Sequence, residues 1–358
     1  MPKRFKELIA TKKTVCVLFG GNSSEHEISR VSAGNVVSQL DRNKFNVITV
    51  GITKGGDWFL TEATSEEMKS GAWEQCHNKA CVPSPSPKHH GLLVFNKNGD
   101  VSVTHIDVVF PVLHGKNGED GTVQGLCSLA GIPFVGPGVL GSSLCMDKAA
   151  TKTMLAAGGV PVTEGFCLER NYDIQAVHTR IVETISYPVV VKPSSAGSSV
   201  GVTKVEKQED LALALQLAAE EDEKILVERA VDAREIECAV LGTNQKPQAS
   251  CLGEIVKEGM YDYATKYEKN TAELVIPAAV DEKTANKIRA LACRAFTLTE
   301  CRGLARVDFF IDKKTGNVML NEINTLPGFT DISMYPMLWK ASGLSYQTLL
   351  AQLIELAQ

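Results

Sequence analysis

Acidic and amide side chains interrupt two apolar stretches near the end of the chain, where they could hold a hard cation. Asp308 lies in LARVDFFI, and Glu322 and Asn324 lie in VMLNEINT. Residues two apart share one face of a β-strand, so Arg306 and Asp308 face together, as do Glu322 and Asn324. A hairpin would gather oxygen ligands that suit magnesium bound to nucleotide phosphates. Polar alternation on a solvated sheet face is the alternative, and the strongly apolar surroundings favour the metal site.

A Ser/Gly-rich loop follows Lys192, which ends an apolar stretch. Its sequence, SSAGSSVG, has small residues that let the backbone approach a ligand, and successive N–H groups can hold an anion. The Walker pattern GxxxxGK[ST] is absent, and flanking strand patterns predict a hairpin flap over phosphate. A plain flexible turn is the alternative. Lys192 is one candidate cation for phosphate, and Lys148, in the segment MDKAATK, is another. A lone helical lysine such as Lys148 is usually solvated.

A second candidate site lies where the first predicted strand ends in Gly20 and Gly21 and NSSEHEIS begins a helix. Helix N-termini attract anions. Ser24 and Glu27 fit a capping box, which explains these two residues but not Glu25. The Glu25 carboxylate could hold a substrate ammonium. Further on, the polar stretch VKEGMYDYATKYEKNTA is long enough for a water-excluding lid, a disordered loop or both.

The elements that must position these residues alternate between strand and helix patterns, which indicates an α/β protein. The first third predicts a small doubly wound domain with strands at 14–20, 45–52 and 106–113 and helices at 27–40 and 122–130. Residues 65–99 predict an elaborated loop with at most one hairpin. The stretch GPGVLGSS predicts a linker.

The remaining chain predicts two further domains. The middle block has predicted helices at 147–157 and 210–219 and strands at 187–192, 200–205 and 225–228. The last third has predicted strands at 236–241, 249–255, 274–277, 303–311 and 318–324 and helices at 282–296 and 345–357. We expect domains at 1–138, 139–230 and 231–358, with the lid at about 255–272.

Composition excludes several classes of protein. Hydrophobic residues make up 44% and charged residues 22% of the 358 residues, and the net charge is −5. This balance indicates a globular protein, and without a dense basic stripe a nucleic-acid partner is disfavoured. No stretch approaches the roughly 20 apolar residues that span a bilayer, and the N-terminal apolar stretch is too short for a signal peptide. The ten scattered cysteines form no CxxC pair and predict reduced thiols in a cytoplasmic protein.

Eight segments in order resemble the D-alanine–D-alanine ligases of the ATP-grasp superfamily. They are FGGNSSEHEIS, HGKNGEDGTVQG, MDKAATK, VVVKPSSAGSSVGV, ILVERAVDAREIECAV, YDYATKY, ARVDFF and NEINTLPGFT. The resemblance covers almost the whole chain. It implies a three-domain ATP-grasp fold, mixed α/β and α+β, that holds nucleotide between the middle and C-terminal domains.

The resemblance also implies roles for single residues at the nucleotide. The lysines that match phosphate contacts are Lys148, Lys192 and Lys266. Glu228 matches the acidic residue at the adenine hinge, and Glu235 matches the one at the ribose. Asp308, Glu322 and Asn324 match the ligands of two magnesium ions, with manganese as a possible substitute.

Other matches fall at the amino-acid sites. Glu25 matches the group near the first D-alanine ammonium, and Ser198 and Tyr267 match the residues that link it to the lid. His114 matches a histidine near the first site. The second D-alanine carboxylate would meet Ser333 and the Met334 backbone, and the transition states would meet Arg306 and the Gly328 N–H.

The implied reaction is two-step ligation for peptidoglycan precursor synthesis by a homodimer. The first D-alanine carboxylate would attack the γ-phosphate of ATP, and the second D-alanine amine would attack the resulting acyl phosphate. Lys266 and Tyr267 favour a dipeptide product, whereas Ala196 replaces an acidic residue common in relatives, which leaves D-serine and D-lactate open. One rival is a nucleotide-binding regulator without catalysis, which predicts loss of a metal ligand or of Arg306. Another is a carboxylate–amine ligase for a different acid.

Overall fold

A computed structural model describes residues 12–197, 200–256 and 273–357 of the chain. Three β-sheets are present in these ranges, and only the first contains parallel strands. The predicted combination of α/β and α+β architecture is therefore confirmed. None of the described helices is long and apolar enough to cross a membrane.

The N-terminal sheet has a parallel centre and an antiparallel extension. Its strands are β1 (Lys13–Gly20), β2 (Phe45–Ile52), β3 (Trp58–Thr61), β4 (Asn78–Pro83), β5 (Gly91–Phe95), β6 (Val101–His105) and β7 (Val108–Val112), in the order β6-β5-β4-β3-β2-β1-β7. Its helices are α1 (His26–Gln39), α2 (Ser65–Ser70) and α3 (Thr122–Ala130), and a 3₁₀ turn covers Ala72–Gln75. β1 pairs in parallel with β2 and β7. The loops after β1 and β7 therefore leave the sheet at the same edge, where such sheets bind ligands.

One prediction for this region was right in part and another was wrong. Residues 65–99 contain the helix α2 instead of an irregular loop, but their strands β4 and β5 pair antiparallel and form the expected hairpin. Trp73, fully buried with its ring 5.0 Å from that of Phe19, anchors the segment to the sheet, a tertiary contact that local periodicity does not reveal. The predicted linker GPGVLGSS instead runs into the helix α4 (Val139–Met146). Its glycine content has a packing cause, because a Cβ on Gly141 would lie 2.9 Å from the Glu300 carbonyl oxygen.

The middle of the chain forms an antiparallel sheet covered by helices. After α4 its elements are α5 (Lys148–Ala157), β8 (Gly165–Glu169), α6 (Ile174–Thr184), β9 (Val189–Pro193), β10 (Thr203–Val205), a 3₁₀ turn (Gln208–Asp210), α7 (Leu211–Glu221) and β11 (Lys224–Arg229). The strand order is β10-β9-β11-β8. The sequence reading did not include β8 or α6. Asp173 caps α6 by accepting hydrogen bonds from the Gln175 and Ala176 backbones.

The last part is a five-stranded antiparallel sheet with three helices. Its elements are β12 (Ala233–Thr243), β13 (Lys246–Val256), β14 (Glu273–Val275), α8 (Glu282–Leu298), β15 (Gly303–Asp312), β16 (Val318–Asn324), α9 (Met334–Ala341) and α10 (Tyr346–Glu355), with strand order β14-β13-β12-β15-β16. α8 buries Ile288, Ala292 and Phe296 completely, as expected for residues that share one face of a helix. α9 was not predicted.

One apolar core joins the first and last parts of the chain. It contains Val36 of α1 and Phe110 of β7 together with Trp339 of α9 and Leu353 of α10. Such a close-packed interior transmits little relative movement. The elements before the loops after β1 and β7 therefore pack against the same core as α9 and α10. The predicted domain limits stay predictions.

Candidate active site

The hairpin of β15 and β16 gathers the predicted oxygen ligands. Asp308 lies opposite Glu322 and Arg306 opposite Asn324, and the pairing shifts register directly after Asp308. Asn324 Nδ2 donates to Asp308 Oδ2 at 2.9 Å. The spacing thus predicted this cluster of side chains correctly. The metal that it would hold stays a prediction.

Arg306 lies beside these ligands and is held by two carboxylates. Its Nε and Nη2 donate to the two oxygens of Asp308 at 2.8 and 2.7 Å. Its Nε also lies 3.0 Å from Oε2 of Glu237 on β12. Burial alone would lower the pKa of Arg306, but Asp308 and Glu237 outweigh it and raise that pKa well above its usual value. Arg306 therefore remains a fixed cation of the site.

The start of α5 brings a lysine to the same cluster from the middle sheet. Lys148 Nζ donates to the Ala196 carbonyl at 2.8 Å and lies 3.8 Å from Glu322 Oε2. It is therefore placed between the Ser/Gly-rich loop and the predicted metal ligands.

Asp147 fixes the position of this helix start. It caps α5 by accepting from the Ala150 backbone, and it accepts from Ser194 Oγ at 2.6 Å and from Lys224 Nζ. Burial alone would raise the pKa of Asp147, yet its bonds to Lys224 and Ser194 lower that pKa below its usual value. The capping carboxylate thus ties α5, the Ser/Gly-rich loop and β11 together.

A buried triad of charges lies on the middle sheet. The Glu228 carboxylate pairs with Lys152 Nζ through Oε1 and with Lys192 Nζ, at 2.6 Å, through Oε2. Burial alone would raise the pKa of Glu228, but the two lysines lower it. Burial lowers the pKa of Lys152 to about 8.

Several of these groups line one large cleft between the middle and last sheets. Its volume is about 690 Å³, and its lining includes Lys148, Lys192, Glu228, Arg306 and the three predicted metal ligands. Glu235, on β12 opposite Phe310, also lines it. A polar cleft of this size can take a nucleotide-sized ligand.

Glu25 lies at the end of this cleft nearest the N-terminal sheet. It is 7% exposed and precedes α1 as its N-cap residue. α1 shows no side-chain cap, so the predicted capping box of Ser24 and Glu27 was wrong. A Cβ on Gly115 or on Gly197 would lie 2.9 or 3.0 Å from Glu25 Oε2. The carboxylate therefore lies close to two glycine backbone segments, where an added side chain would displace it.

His114 connects the loop after β7 to the loop after β16. Its Nδ1 lies 3.0 Å from the Leu326 carbonyl, which can only accept, so Nδ1 carries the proton. Its Nε2 lies 3.3 Å from Ser32 Oγ, which accepts from the Phe329 backbone N–H at 3.1 Å. The hydrogen bond between Ser32 and His114 therefore links α1 to the loop after β7.

The beginning of α9 lies next to these groups. Ser333 is its N-cap residue and Met334 its first residue. Ser333 Oγ accepts from the Thr330 backbone at 2.9 Å, and a Cβ on Gly328 would lie 2.7 Å from that oxygen. Backbone N–H groups at a helix start suit a carboxylate. Gly328 thus brings its backbone close to a potential anion site.

Other predicted site residues lie outside the described ranges: Ser198, Lys266 and Tyr267. The predicted lid at about 255–272 does too, except for its first two residues, which end β13. In the ranges given above, no group of three His, Cys, Asp or Glu side chains forms a metal site. The predicted ligand set has only two such side chains, and its third member is an amide.

Three acidic or basic residues of the site were missed by sequence reasoning. Lys152 follows Lys148 by four positions and so shares its helix face, a signal present in MDKAATK. Glu237 shares a strand face with Glu235. Glu119 accepts from the Gly115 backbone at 2.8 Å and the Leu326 backbone at 3.2 Å. No local pattern predicts that bridge.

Comparison with known proteins gives one family for nearly the whole chain. The family profile for the D-ala D-ala ligase N-terminus matches residues 14–137, and that for the C-terminus matches residues 154–355. A D-alanine–D-alanine ligase of Thermoanaerobacter sp. (strain X514) is 47% identical over 350 residues, which cover 97% of this chain and 96% of the relative. That of Ruminiclostridium cellulolyticum is 49% identical over 361 residues, with coverages of 97% and 96%.

Solved structures show the same likeness. The VanG D-Ala:D-Ser ligase of Enterococcus faecalis is 36% identical with a TM-score of 0.88, over 96% of this chain and 99% of the other. The D-alanine–D-alanine ligase of Coxiella burnetii is 36% identical with a TM-score of 0.83, over 97% and 94%.

Proposed function

This chain belongs to the D-alanine–D-alanine ligase family, and we propose that it forms D-alanyl-D-alanine from two D-alanines and ATP through a D-alanyl phosphate intermediate. The family and its relatives' names support ATP-dependent ligation for peptidoglycan precursor synthesis. The acyl phosphate and the roles of single residues are our proposal.

One observation carries the proposal. Lys148, Lys192 and Arg306 meet Asp308, Glu322 and Asn324 in one cleft. Three cations around a patch of oxygen ligands is the arrangement that a triphosphate and its metal require. Neither an amino-acid site nor a solvated sheet face needs it.

The donor set of Asp308, Glu322 and Asn324 fits magnesium. Magnesium is commonly held by one or two carboxylates together with substrate phosphates and waters, so two carboxylates and an amide are sufficient. When bound, the ions neutralise phosphate charge and keep ATP in place for transfer. Two ions, with manganese as a substitute, are part of the proposal.

The chain's own residues order the first step. Glu25 receives the ammonium of the first D-alanine, which directs its carboxylate into the cleft. Lys148, Lys192 and the lid lysine Lys266 contact phosphates, while Glu228 and Glu235 lie along the adenine and ribose. The carboxylate oxygen attacks the γ-phosphorus, ADP leaves, and the fixed cation Arg306 stabilises the transferring charge. Positioning the reactants supplies much of the rate.

Another group of residues orders the second step. Ser333 and the Met334 N–H bind the second D-alanine carboxylate at the start of α9. Its amine attacks the acyl carbon, the carbonyl electron pair moves to oxygen, and Arg306 with the Gly328 N–H stabilises that oxyanion. The oxyanion then re-forms the carbonyl, the C–O bond to phosphate breaks, phosphate leaves with that electron pair, and the nitrogen gives up one proton to solvent. His114 holds the loops around the first amino acid, and Ser198 and Tyr267 link Glu25 to the lid.

The experiment that tests the proposal measures phosphate release from ATP. We expect release with D-alanine and magnesium and little with ATP alone. D-Serine and D-lactate offered as second substrates decide the product class, because one solved relative is a D-Ala:D-Ser ligase. Release that does not depend on D-alanine would end the proposal. A homodimer and a cytoplasmic location are also proposed from the family likeness.

A further inference from the structure

Two members of a buried triad, Lys192 and Glu228, line the nucleotide cleft, and the third member, Lys152, has no part in the mechanism above. The exposed fractions of the Lys152, Lys192 and Glu228 side chains are 7%, 10% and 4%. Lys152 and Lys192 hold different oxygens of the same carboxylate. The triad therefore carries one more cation than anion when all three groups are charged.

The two lysines reach Glu228 from different elements. Lys192 comes from β9, which pairs with β11, the strand of Glu228. Lys152 comes from α5, one helical turn after Lys148, whose Nζ contacts the Ser/Gly-rich loop. Lys152 therefore approaches the carboxylate independently of the strand that carries Lys192.

We propose that Lys152 is a positioning residue for Lys192, since its ammonium keeps Glu228 paired and so leaves Lys192 available to the ATP phosphates. This inference rests on the proposed contact between Lys192 and phosphate. Without Lys152, Lys192 would be the cation that compensates Glu228 in this triad. If Lys192 then moved toward phosphate, the buried Glu228 carboxylate would be left without a cation, which is unfavourable.

The charge environment of Lys152 supports this role. Burial is the main influence and lowers the pKa of Lys152 to about 8, Lys192 adds to that, and Glu228 and Glu322 oppose it. Burying a lysine whose pKa lies near neutral pH costs free energy of folding. A functional use of its charge accounts for that cost.

The test is ATP binding to the full-length protein, measured as a dissociation constant by calorimetry without D-alanine. Lys152→Met removes the charge and keeps most of the side-chain volume. We expect at least about a tenfold weaker ATP affinity, the scale of losing a buried ionic contact. Lys152→Arg keeps the charge and should lie near wild type. Lys54→Met, which removes an exposed lysine paired with Glu27, controls for net charge.

A double-mutant cycle separates this role from packing. In the Glu228→Gln background no carboxylate competes for Lys192, so adding Lys152→Met should change ATP affinity by less than about threefold. Thermal unfolding of both single variants and of the double variant checks that each one folds, because Lys152→Met alone leaves the neutral Lys192–Glu228 pair and the double variant leaves Lys192 as the one charge of the triad. Equal losses in both backgrounds would overturn the proposal, as would wild-type ATP affinity in Lys152→Met.

The pH profile provides a second readout. The wild-type affinity for ATP should fall as the pH rises through about 8, because Lys152 then loses its proton and Glu228 retains Lys192. Lys152→Arg stays charged and should keep its affinity to higher pH. Identical profiles would contradict the proposal. If the wild type released no phosphate with ATP and D-alanine, the proposed function itself would fail, which is a different result.

Discussion

The two halves of the cleft are built from different interactions. In the nucleotide half, buried ion pairs hold the side chains, as between Lys192 and Glu228 and between Arg306 and Asp308. In the amino-acid half, two glycines lie close to Glu25, and His114 is hydrogen-bonded to Ser32 and to the Leu326 carbonyl. In the nucleotide half, the positions of the side chains therefore depend on the balance of charges. In the amino-acid half, they depend on the space between neighbouring backbone segments.

This difference matches the ligands proposed for each half. A triphosphate is highly charged, so the residues that contact it must be cations. Before it binds, these cations are paired with carboxylates of the protein. D-Alanine is small, so a shift of less than an ångström in Glu25 would change how it is held. We expect charge changes to act mainly on the nucleotide half and volume changes mainly on the amino-acid half.

The largest effect should follow from Asp308→Asn. This change removes the charge that holds Arg306 and the central predicted metal ligand, so we expect turnover to fall between about a hundredfold and a thousandfold. Asp312→Asn makes the same change at the end of the same strand, where the carboxylate accepts hydrogen bonds from the turn residues Lys314 and Thr315. Steady-state rates with thermal unfolding check both. Wild-type turnover in Asp308→Asn would contradict the claim that the nucleotide half depends on its charges.

A volume change tests the amino-acid half. Gly197→Ala places a Cβ 3.0 Å from Glu25 Oε2, so the carboxylate must move. We expect the KM for D-alanine to rise about tenfold while the dissociation constant of ATP changes little. Gly125→Ala is the control, because a Cβ there meets nothing within 4 Å. A larger effect on ATP than on D-alanine would contradict the division between the halves.

A smaller effect is expected from Asp147→Ala, which removes a cap at the nucleotide half. Loss of the cap should lower the free energy of unfolding by about 1 kcal/mol, and ATP affinity should fall severalfold because Lys148 is no longer held. Asp173→Ala removes the cap of α6 and should cost similar stability without affecting ATP. Equal ATP affinity in the two variants would mean that the cap does not position Lys148.

The same change predicts a pH effect on stability. The folded pKa of Asp147 is lowered, so its contribution is present above the unfolded pKa and is lost as the pH falls through the folded value. The difference in unfolding free energy between wild type and Asp147→Ala should therefore shrink on acidification. A difference that grew at low pH would contradict the pairing with Lys224.

Sequence reasoning was most accurate where a side-chain pattern is local. The bounds of β16 and α3 were predicted as observed, because alternation and helical spacing are complete within each segment. The facing of Asp308 and Glu322 followed from strand geometry alone. For these elements, neighbours in sequence determine the outcome.

It failed where distant residues decide the structure. Lys152 and Glu228 lie 76 residues apart, and neither residue's surroundings predict their pairing. α4 was mistaken for a linker because its small residues serve close packing against a loop far along the chain. Ser24 and Glu27 have the spacing of a capping box, but α1 has no side-chain cap in the fold.

The most direct test of the acyl phosphate follows one oxygen atom. D-Alanine labelled with heavy oxygen in its carboxylate is incubated with ATP, magnesium and the protein, and the released phosphate is analysed by mass spectrometry. The proposed route predicts one labelled oxygen in each phosphate formed at the first amino-acid site, because the carboxylate oxygen stays on phosphorus when the peptide bond forms. Phosphate without label would contradict it.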